Sequence, residues 1–153
     1  MTDIVDKATR SRMMSGIQGK NTKPEMLVRS LLHRSGFRFR LHRKDLPGKP
    51  DIVLPKYRAV IFVHGCFWHG HECKYFRWPS SRPDFWRAKI ERNRLNDATY
   101  VAELLETGWR VAVVWECATR GQTDESLVRV GKEIGTWLYS DDVSFVLSGS
   151  KLK

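Results

Sequence analysis

Residues 64–73 read His-Gly-Cys-Phe-Trp-His-Gly-His-Glu-Cys and bring together three histidines, two cysteines and two large aromatic side chains. Cysteine and histidine are typical zinc ligands, and a packed core segment does not need so many of them in one place. The preceding residues, 60–63, are all apolar and have the composition of a strand. We therefore expect a functional loop that is held at the end of a rigid element.

Cys66, His71 and Cys73 can supply three ligands to one metal ion, and Cys117 is the remaining cysteine of the chain. Cys117 follows a second apolar segment, so the four side chains converge if the two strands lie side by side. Four protein ligands leave no open coordination position, so this zinc ion would be structural rather than catalytic. The alternative is that Cys117 is a buried core cysteine and that Cys66 and Cys73 are incidental, but the use of every cysteine favours zinc.

A second group of residues has the chemistry of metal-dependent phosphodiester cleavage. Asp51 lies at the start of a predicted strand and would bind Mg²⁺, which prefers oxygen ligands. His69 is not needed for zinc and is the candidate general base, since an imidazole titrates near neutral pH. Asp97 could orient His69, although spacing alone favours a solvated charge on a helix. Glu25 is explained equally well as a capping residue after Thr22.

The composition limits the class of protein. The chain has 153 residues, enough for one domain with a hydrophobic core. Its net charge of +10 indicates nucleic acid as the first partner to consider and an anionic membrane surface as the second. No apolar run reaches the roughly 18 residues of a membrane span, and the N-terminus is acidic rather than signal-like. Since three cysteines do not suggest a disulfide framework, we expect a cytoplasmic protein.

Helix and strand signals must position these side chains, and they alternate along the chain. The first predicted element is a helix that is capped by Thr22 and stops at Gly36, and predicted strands follow at 37–42, 51–54 and 57–63. A long helix is then predicted from an Asp84 cap to about 107. A strand at 111–115 and a helix from 123 to 138 complete the predicted order. The second and third strands are predicted to form a hairpin. Together these elements predict a single α/β domain with a central mixed β-sheet flanked by helices.

The long helix is predicted to be amphipathic. The apolar side chains expected to face inward are Trp86, Ile90, Leu104 and Leu105. The basic side chains expected to face outward, where they could contact phosphates, are Arg87, Lys89, Arg92 and Arg94. The first twenty residues are also basic and have few apolar anchors, so we expect an arm that orders on a partner.

Four motifs together resemble those of the very-short-patch-repair (Vsr) DNA mismatch endonucleases. They are Lys7-Ala-Thr-Arg-Ser11, Leu46-Pro-Gly-Lys-Pro-Asp51, His64-Gly-Cys-Phe-Trp-His69, and Gly108-Trp-Arg-Val with Val114-Trp-Glu-Cys117. The resemblance extends over nearly the whole chain, and the Gly-Cys-Phe-Trp-His core is specific to that family. It implies a fold like that of type II restriction endonucleases. It also implies a DNA-repair enzyme that nicks one strand 5′ to the T of a T:G mismatch left by deamination of 5-methylcytosine.

The resemblance assigns roles to individual residues. Asp51 and the main-chain carbonyl of Val63 match the ligands of a catalytic Mg²⁺ ion, and His69 with Asp97 match the catalytic histidine and its orienting carboxylate. Glu25 and His64 match residues that hold metal-bound waters or the phosphate. The matched zinc ligands are Cys66, His71, Cys73 and Cys117. The matched DNA wedge, whose apolar side chains enter the base stack, comprises Phe67, Trp68, Trp86 and Met14.

The composition of the chain and the resemblance together give the expected organisation and partners. We expect a DNA-binding arm at 1–20, a Vsr-type endonuclease domain at 21–147 and a flexible tail at 148–153. The expected partner is double-stranded DNA with a T:G mismatch, bound by a monomer, and the family adds mismatch-repair accessory proteins. Two alternatives stay open: a zinc-stapled DNA-binding module without catalysis, and a nuclease that acts on unmismatched duplex DNA. For Trp86, core packing is as plausible as a wedge role.

Overall fold

Five strands and three α-helices alternate along residues 22–149, the part of the chain that the structure, a computed structural model, describes. In chain order they are α1 (Lys23–Arg34), β1 (Arg40–Leu41), β2 (Ile52–Leu54), β3 (Ala59–His64), α2 (Pro83–Glu106), β4 (Arg110–Trp115), α3 (Asp124–Tyr139) and β5 (Ser144–Leu147). Short 3₁₀ helices, Pro55–Tyr57 and Glu116–Ala118, follow β2 and β4. None of the described helices has the length and apolar character needed to cross a membrane.

The strands form one mixed sheet in the order β1-β2-β3-β4-β5, which confirms the predicted fold class. The pairs β1–β2 and β2–β3 are antiparallel, so the predicted hairpin is also confirmed. The pairs β3–β4 and β4–β5 are parallel, and His64 lies beside Trp115 in the register. The carboxyl ends of β3 and β4 therefore meet at one edge of the sheet, where α/β proteins usually place their sites.

The two faces of the sheet are covered by different helices. On one face, Val28 and Leu32 of α1 and Ile134 of α3 pack against strand residues that include Ile61 and Val114. On the other face, Leu104 of α2 packs against a smaller set of strand residues, Val53, Val60, Phe62 and Val111. Because side chains alternate along a strand, His64 lies on the α2 face with Val60 and Phe62.

The helix starts at α1 and α3 were predicted correctly from their capping residues. The Thr22 hydroxyl accepts a hydrogen bond from the Glu25 amide at 3.4 Å, and the Thr123 hydroxyl accepts one from the Ser126 amide at 3.1 Å. Helix α1 ends at Arg34, and Gly36 follows with a φ of +91°, the left-handed conformation that glycine adopts easily. The capping of α1 matters for function because it fixes where Glu25 lies.

The start and the inner face of α2 differ from the prediction. The helix begins at Pro83, and Arg82, with a φ of 52°, precedes it, so Asp84 is an acidic residue of the first turn and not the cap. Proline at this position removes a donor that the cap would otherwise have to satisfy. Ile90 and Leu104 are fully buried as predicted, but Leu105 is 36% exposed.

Two strand predictions were inaccurate. The predicted strand at 37–42 pairs with β2 only through Arg40 and Leu41, since Phe37 is buried in the core beside α3 instead of continuing the ladder. Strand β5 was not predicted at all. Its four residues alternate between exposed and more buried positions and complete the parallel edge of the sheet beside β4.

The predicted arm at 1–20, with the first motif and Met14, lies outside the described residues. Of the predicted tail, Ser148 and Gly149 are described. Ser148 is 5% exposed, and the Gly149 amide donates a hydrogen bond to the Cys117 sulfur at 3.2 Å. The chain thus stays packed against Cys117 up to the last described residue.

Candidate active site and metal clusters

A cleft of about 990 Å³ opens where the carboxyl ends of β3 and β4 meet the start of α1 and the middle of α2. Three groups of potential metal ligands lie in or beside it, and within each group the ligand atoms lie within 4.8 Å of one another. Their members are Glu25, His42 and Asp51; His64, His69 and Asp97; and Cys66, His71, Cys73 and Cys117. The first two groups line the cleft. The third group does not line it, and three of its four members belong to the loop that follows β3.

His69 and Asp97 form a close pair. The His69 Nδ1 atom is 2.6 Å from Oδ2 of Asp97, and because an ionised carboxylate can only accept, the Nδ1 hydrogen of His69 is donated to it. A neutral His69 then carries its lone pair on Nε2. Spacing alone had favoured a solvated helix charge for Asp97, but the fold brings it from the middle of α2 to the loop histidine. The pair has the geometry of a general base with an orienting carboxylate.

His64 stacks on His69, with ring centroids 3.8 Å apart and planes inclined by 6°. Its Nε2 atom is 4.0 Å from Asp97, too far for a hydrogen bond. Burial lowers the pKa of His64 well below its usual value, and the neighbouring His69 lowers it further. Among residues 22–149 no partner satisfies its buried Nδ1 atom. A neutral imidazole with an unsatisfied nitrogen in the cleft is suited to hold a polar group of a ligand.

Glu25 and Asp51 are brought together from α1 and the start of β2. Glu25 is 1% exposed, and its Oε2 atom is 2.8 Å from the His42 Nε2 atom and 3.3 Å from Arg29 Nη1. The Val63 amide donates a hydrogen bond to Asp51 Oδ2 at 2.8 Å, so the main chain of β3 lies against this carboxyl group. Glu25 is therefore both a capping-turn residue of α1 and a side chain of the cleft.

The protonation of Asp51 reflects this crowding. Burial raises the pKa of Asp51 to about 7, and the charge of Glu25 with a shared hydrogen bond raises it as well, while the Val63 amide works in the opposite direction. Two carboxyl groups forced together share a proton unless a cation takes its place. A divalent cation with oxygen ligands fits this pair, and the residues that would hold it are Asp51 and the main chain at Val63.

The thiol cluster has the dimensions of a zinc site. The His71 Nδ1 atom is 3.5 Å from the Cys66 sulfur and 3.6 Å from the Cys117 sulfur. A tetrahedral zinc ion with ordinary bond lengths holds a sulfur and a nitrogen ligand about 3.6 Å apart. Burial raises the pKa of both the Cys66 and the Cys117 thiols, so these groups stay protonated unless a metal ion displaces the protons. The donor set therefore fits zinc.

Residues around the thiol cluster connect it to the cleft. The ring of Trp115 stacks on His71, with centroids 4.2 Å apart, and its edge meets His64 at 5.2 Å. The Cys66 amide donates a hydrogen bond to Glu116 Oε1 at 3.2 Å. Arg94 of α2 donates to the carbonyl of Gly70, which has a φ of +64° and no room for a side chain beside Ile90. The loop is thus fixed on several sides.

Phe67, Trp68 and Trp86 form an aromatic cluster at the mouth of the cleft. Their ring centroids are 5.2 to 5.8 Å apart, and all three side chains are partly exposed. Asn93 of α2 donates a hydrogen bond to the Trp68 carbonyl at 2.7 Å and so fixes this part of the loop. Trp86 packs against the two loop rings rather than into the sheet core, which favours a shared role with them. Met14 lies outside the described residues.

Two residues that sequence reasoning did not select belong to this region. His42 contacts Glu25 across 17 positions of sequence, and its only sequence signal was an isolated histidine at the end of an alternating segment. Trp115 stacks on His71, and the apolar run that contains it predicted a strand and gave no sign of this contact. The other candidate residues within 22–149 all lie in the three ligand groups, the aromatic cluster or the Asp51–Val63 contact.

Comparison with known proteins gives a consistent result. The sequence pattern of the family described as DNA mismatch endonuclease Vsr matches residues 2–75. The chain is 44% identical to the DNA mismatch endonuclease Vsr of Escherichia coli over 147 residues, covering 94% of this chain and 92% of that one. It is 58% identical to the type II nicking enzyme V.XorIIP of Xanthomonas oryzae pv. oryzae over 76% of this chain and 86% of the other. It is 47% identical to V.NmeAIP of Neisseria meningitidis, with 88% and 97% covered.

Proposed function

Because the chain belongs to the Vsr family of DNA mismatch endonucleases, and is thus a DNA endonuclease of mismatch repair, we propose that it nicks one strand 5′ to the T of a T:G mismatch. Deamination of 5-methylcytosine would produce this mismatch, and the nick would start very short patch repair. The observation that carries the proposal is the cleft itself, in which the His69–Asp97 pair and the Asp51–Glu25 pair line one space.

The side chains of the cleft divide the work of hydrolysis. Nε2 of His69 takes the proton of the attacking water, and Asp97 stabilises the imidazolium that forms. As the water oxygen bonds to phosphorus, the P–O bond to the leaving nucleotide breaks. His64 is buried and neutral, and its position beside His69 suits it to hold the phosphate or an ordered water.

Mg²⁺ is the proposed catalytic ion. Asp51 and the main-chain carbonyl of Val63 would hold it, and Glu25 would hold its waters. When bound, Mg²⁺ neutralises the scissile phosphate and stabilises the leaving oxyanion. The raised pKa of the buried Asp51 carboxyl beside Glu25 supports this assignment, because a cation fits where a second negative charge is unfavourable.

Zinc is proposed as a structural ion held by Cys66, His71, Cys73 and Cys117. With four protein ligands, this set leaves no position for a substrate. Its function is to fix the loop that carries Phe67, Trp68 and His69. The distances from His71 to two of the sulfurs support this assignment.

The aromatic cluster is proposed as the mismatch wedge. Inserting Phe67 and Trp68, with Trp86 beside them, would unstack the DNA at a cost of a few kcal/mol per step. A T:G pair resists insertion less than a Watson–Crick pair, so the wedge itself discriminates. Met14, on the proposed arm at 1–20, would approach from the other groove.

Phosphate contacts would come from basic side chains around the cleft and from the arm. The cations that line the cleft among the described residues are Lys23, Lys44, Lys49, Lys89 and Arg120. Six phosphate contacts would give a slope of about −5 in log K against log salt, so binding should weaken steeply with salt. We also propose the endonuclease domain at 21–147, a monomer on DNA, a cytoplasmic location beside the chromosome, and a fold of the restriction-endonuclease type. The first two residues of the expected tail, Ser148 and Gly149, pack against the domain instead.

The test is a nicking assay on two labelled duplexes that differ in one pair, T:G or T:A, each with and without Mg²⁺. We expect a nick 5′ to the T of the T:G duplex alone, and only with Mg²⁺. Asp51→Ala should abolish the nick, whereas Asp45→Ala, which removes a carboxylate that is 61% exposed, should leave it unchanged. Cleavage of both duplexes would instead favour a nuclease for unmismatched DNA. Binding without a cut under any divalent ion would contradict the mechanism.

A further inference from the structure

We propose that the cleft metal site binds Mn²⁺ directly through three side chains, Glu25, Asp51 and His42. The His42 imidazole would make the site select Mn²⁺ over Mg²⁺, which keeps its waters and would meet Glu25 through them. The inference rests on the proposed function, since it concerns the ion of the same cleft. It adds a ligand and an ion preference that neither the Asp51–Val63 contact nor the histidine pair supplies.

The first support is the position of the imidazole. His42 Nε2 is 2.8 Å from Glu25 Oε2, and the potential ligand atoms of His42, Glu25 and Asp51 all lie within 4.8 Å of one another. Neighbouring ligands of one octahedral ion with bonds of about 2.1 Å are about 3 Å apart. All three side chains line the cleft, so an ion between them can reach the phosphate of a bound strand.

The second support is that the backbone holds His42 in place. Its φ of 49° is uncommon for a residue other than glycine, and its amide donates a hydrogen bond to the Asp51 carbonyl at 3.2 Å. The same residue thus contacts Asp51 through its main chain and Glu25 through its side chain. The Glu25 charge already has Arg29 at 3.3 Å, so an ion pair for this carboxylate does not require His42.

The chemistry of the donor set gives the preference. Two carboxylates alone suit Mg²⁺, which takes oxygen ligands and keeps its waters. An imidazole adds a nitrogen donor, and later first-row ions accept a mixed nitrogen and oxygen set more readily than Mg²⁺ does. Mn²⁺ accepts both donor types and keeps the octahedral geometry. We expect it to bind at least about tenfold more tightly than Mg²⁺.

The experiment measures ion binding by the full-length chain, loaded with zinc and free of DNA. Mn²⁺ is titrated by the loss of the EPR signal of the free ion, and Mg²⁺ by competition with Mn²⁺. Pulsed EPR of the bound Mn²⁺ then reports whether nitrogen coordinates it. We expect nitrogen modulation in the wild type, its loss in His42→Gln, and at least about tenfold weaker Mn²⁺ binding with less than threefold change for Mg²⁺.

Two variants serve as controls. His33→Gln makes the same substitution at an exposed residue near the end of α1 and should change neither ion affinity. His64→Gln removes an imidazole from the other histidine group and should keep the nitrogen modulation, which places the ion at His42.

Several outcomes would overturn the inference: a wild type without nitrogen modulation, modulation that persists in His42→Gln, or equal weakening of both ions in that variant. The first of these needs no variant and applies even if His42→Gln does not fold. Failure of the proposed function is seen separately. If the T:G duplex is not nicked but the Mn²⁺ preference holds and depends on His42, the nuclease mechanism fails and the metal site stands.

Discussion

The thiol cluster and the carboxylate cleft lie at the same edge of the sheet, yet they are built in opposite ways. The thiol cluster has four soft ligands at the spacing of a tetrahedral ion, and its surroundings fix the loop with hydrogen bonds from Gly149 and to Glu116. In the cleft, burial raises the pKa of Asp51 beside Glu25, and the Nδ1 atom of His64 has no hydrogen-bond partner among the described residues. A metal ion with four protein ligands has no free coordination position, which suits a structural role. Polar groups without a protein partner can instead bind a substrate or a catalytic ion.

The largest effect expected is on catalysis, and it should leave the thiol cluster untouched. His69→Ala should lower the nicking rate on a T:G duplex by about 10³-fold, because it removes the general base. Asp97→Asn should have a smaller effect in the same direction, and Asp84→Asn, an exposed carboxylate of the same helix, should have none. Single-turnover kinetics of each variant tests the cleft, and analysis of its zinc content tests the thiol cluster. A His69→Ala variant that loses zinc would show that the two regions are not separate.

The reverse experiment removes a ligand of the scaffold. Cys117→Ser should abolish stoichiometric zinc binding and lower Tm by about 10 °C, since the ion contributes folding free energy directly. Asp51→Asn, a change in the cleft, should retain one zinc ion per chain and show no such loss. Elemental analysis and thermal unfolding of the two variants make the measurement. Equal zinc content in the wild type and Cys117→Ser would refute the assignment of the cluster.

Two rings of the aromatic cluster, Phe67 and Trp68, lie on the loop that connects the two regions. Changing the cluster should affect DNA binding less than the changes above affect catalysis and zinc binding. Trp68→Ala should weaken binding to a T:G duplex about tenfold, in line with the loss of one stacked ring. Binding to a T:A duplex should change less, because the wedge acts where the stack opens easily. Fluorescence anisotropy at fixed salt with both duplexes is the measurement, and Trp78→Ala, a partly exposed ring farther along the loop, is the control. Equal weakening on both duplexes would mean that Trp68 does not discriminate.

The smallest effect expected is on pH-dependent stability. The pKa of Asp51 is raised to about 7, above its unfolded value of 3.8, so the folded protein keeps a proton that the unfolded chain releases between these values. The contribution of Asp51 to the stability of the metal-free protein should therefore fall as pH rises from 4 to 7, and Tm should fall with it. In the proposed site Mg²⁺ would bind the ionised carboxylate, so it should stabilise the protein more at pH 8 than at pH 5.

Thermal unfolding at several pH values, with and without Mg²⁺, tests this expectation. Asp51→Asn should flatten the metal-free profile, and Asp45→Asn should not, because Asp45 is exposed and its pKa is lowered by its hydrogen bond with Arg43. A metal-free profile that rises between pH 4 and 7 would contradict the raised pKa of Asp51.

The sequence predicted features whose causes are local. Thr22 and Thr123 are recognisable as helix caps from the residues that follow them. The apolar run that forms β4 can be recognised without knowledge of the rest of the fold. The ligands Cys66, His71 and Cys73 lie within one loop, so their spacing is also a local property. For these elements, the local composition and spacing are themselves the physical cause of the structure that forms.

What the sequence did not reveal depends on contacts between distant residues. Asp97 has the pattern of a solvated helix charge until α2 crosses the loop and brings it to His69. His42 becomes a residue of the cleft only because the start of α1 brings Glu25 beside it. Strand β5 is short and half exposed, and its pairing with β4 rather than its own pattern defines it. Asp84 was mistaken for a cap because the left-handed conformation of Arg82 has no signal in the sequence.

Helix α2 separates Cys73 from Cys117 along the chain, and this order matters during synthesis. Every candidate catalytic side chain among the described residues, from Glu25 to Asp97, is synthesised before β4 and Cys117. Until then β3 lacks its parallel neighbour, and the thiol cluster lacks its last ligand. A nascent or truncated chain thus contains the candidate catalytic side chains but lacks β4 and Cys117, beside which the loop after β3 packs. If Cys117 completes the proposed zinc site, the loop that carries the candidate catalytic histidines can be fixed only after β4 and Cys117 have been synthesised.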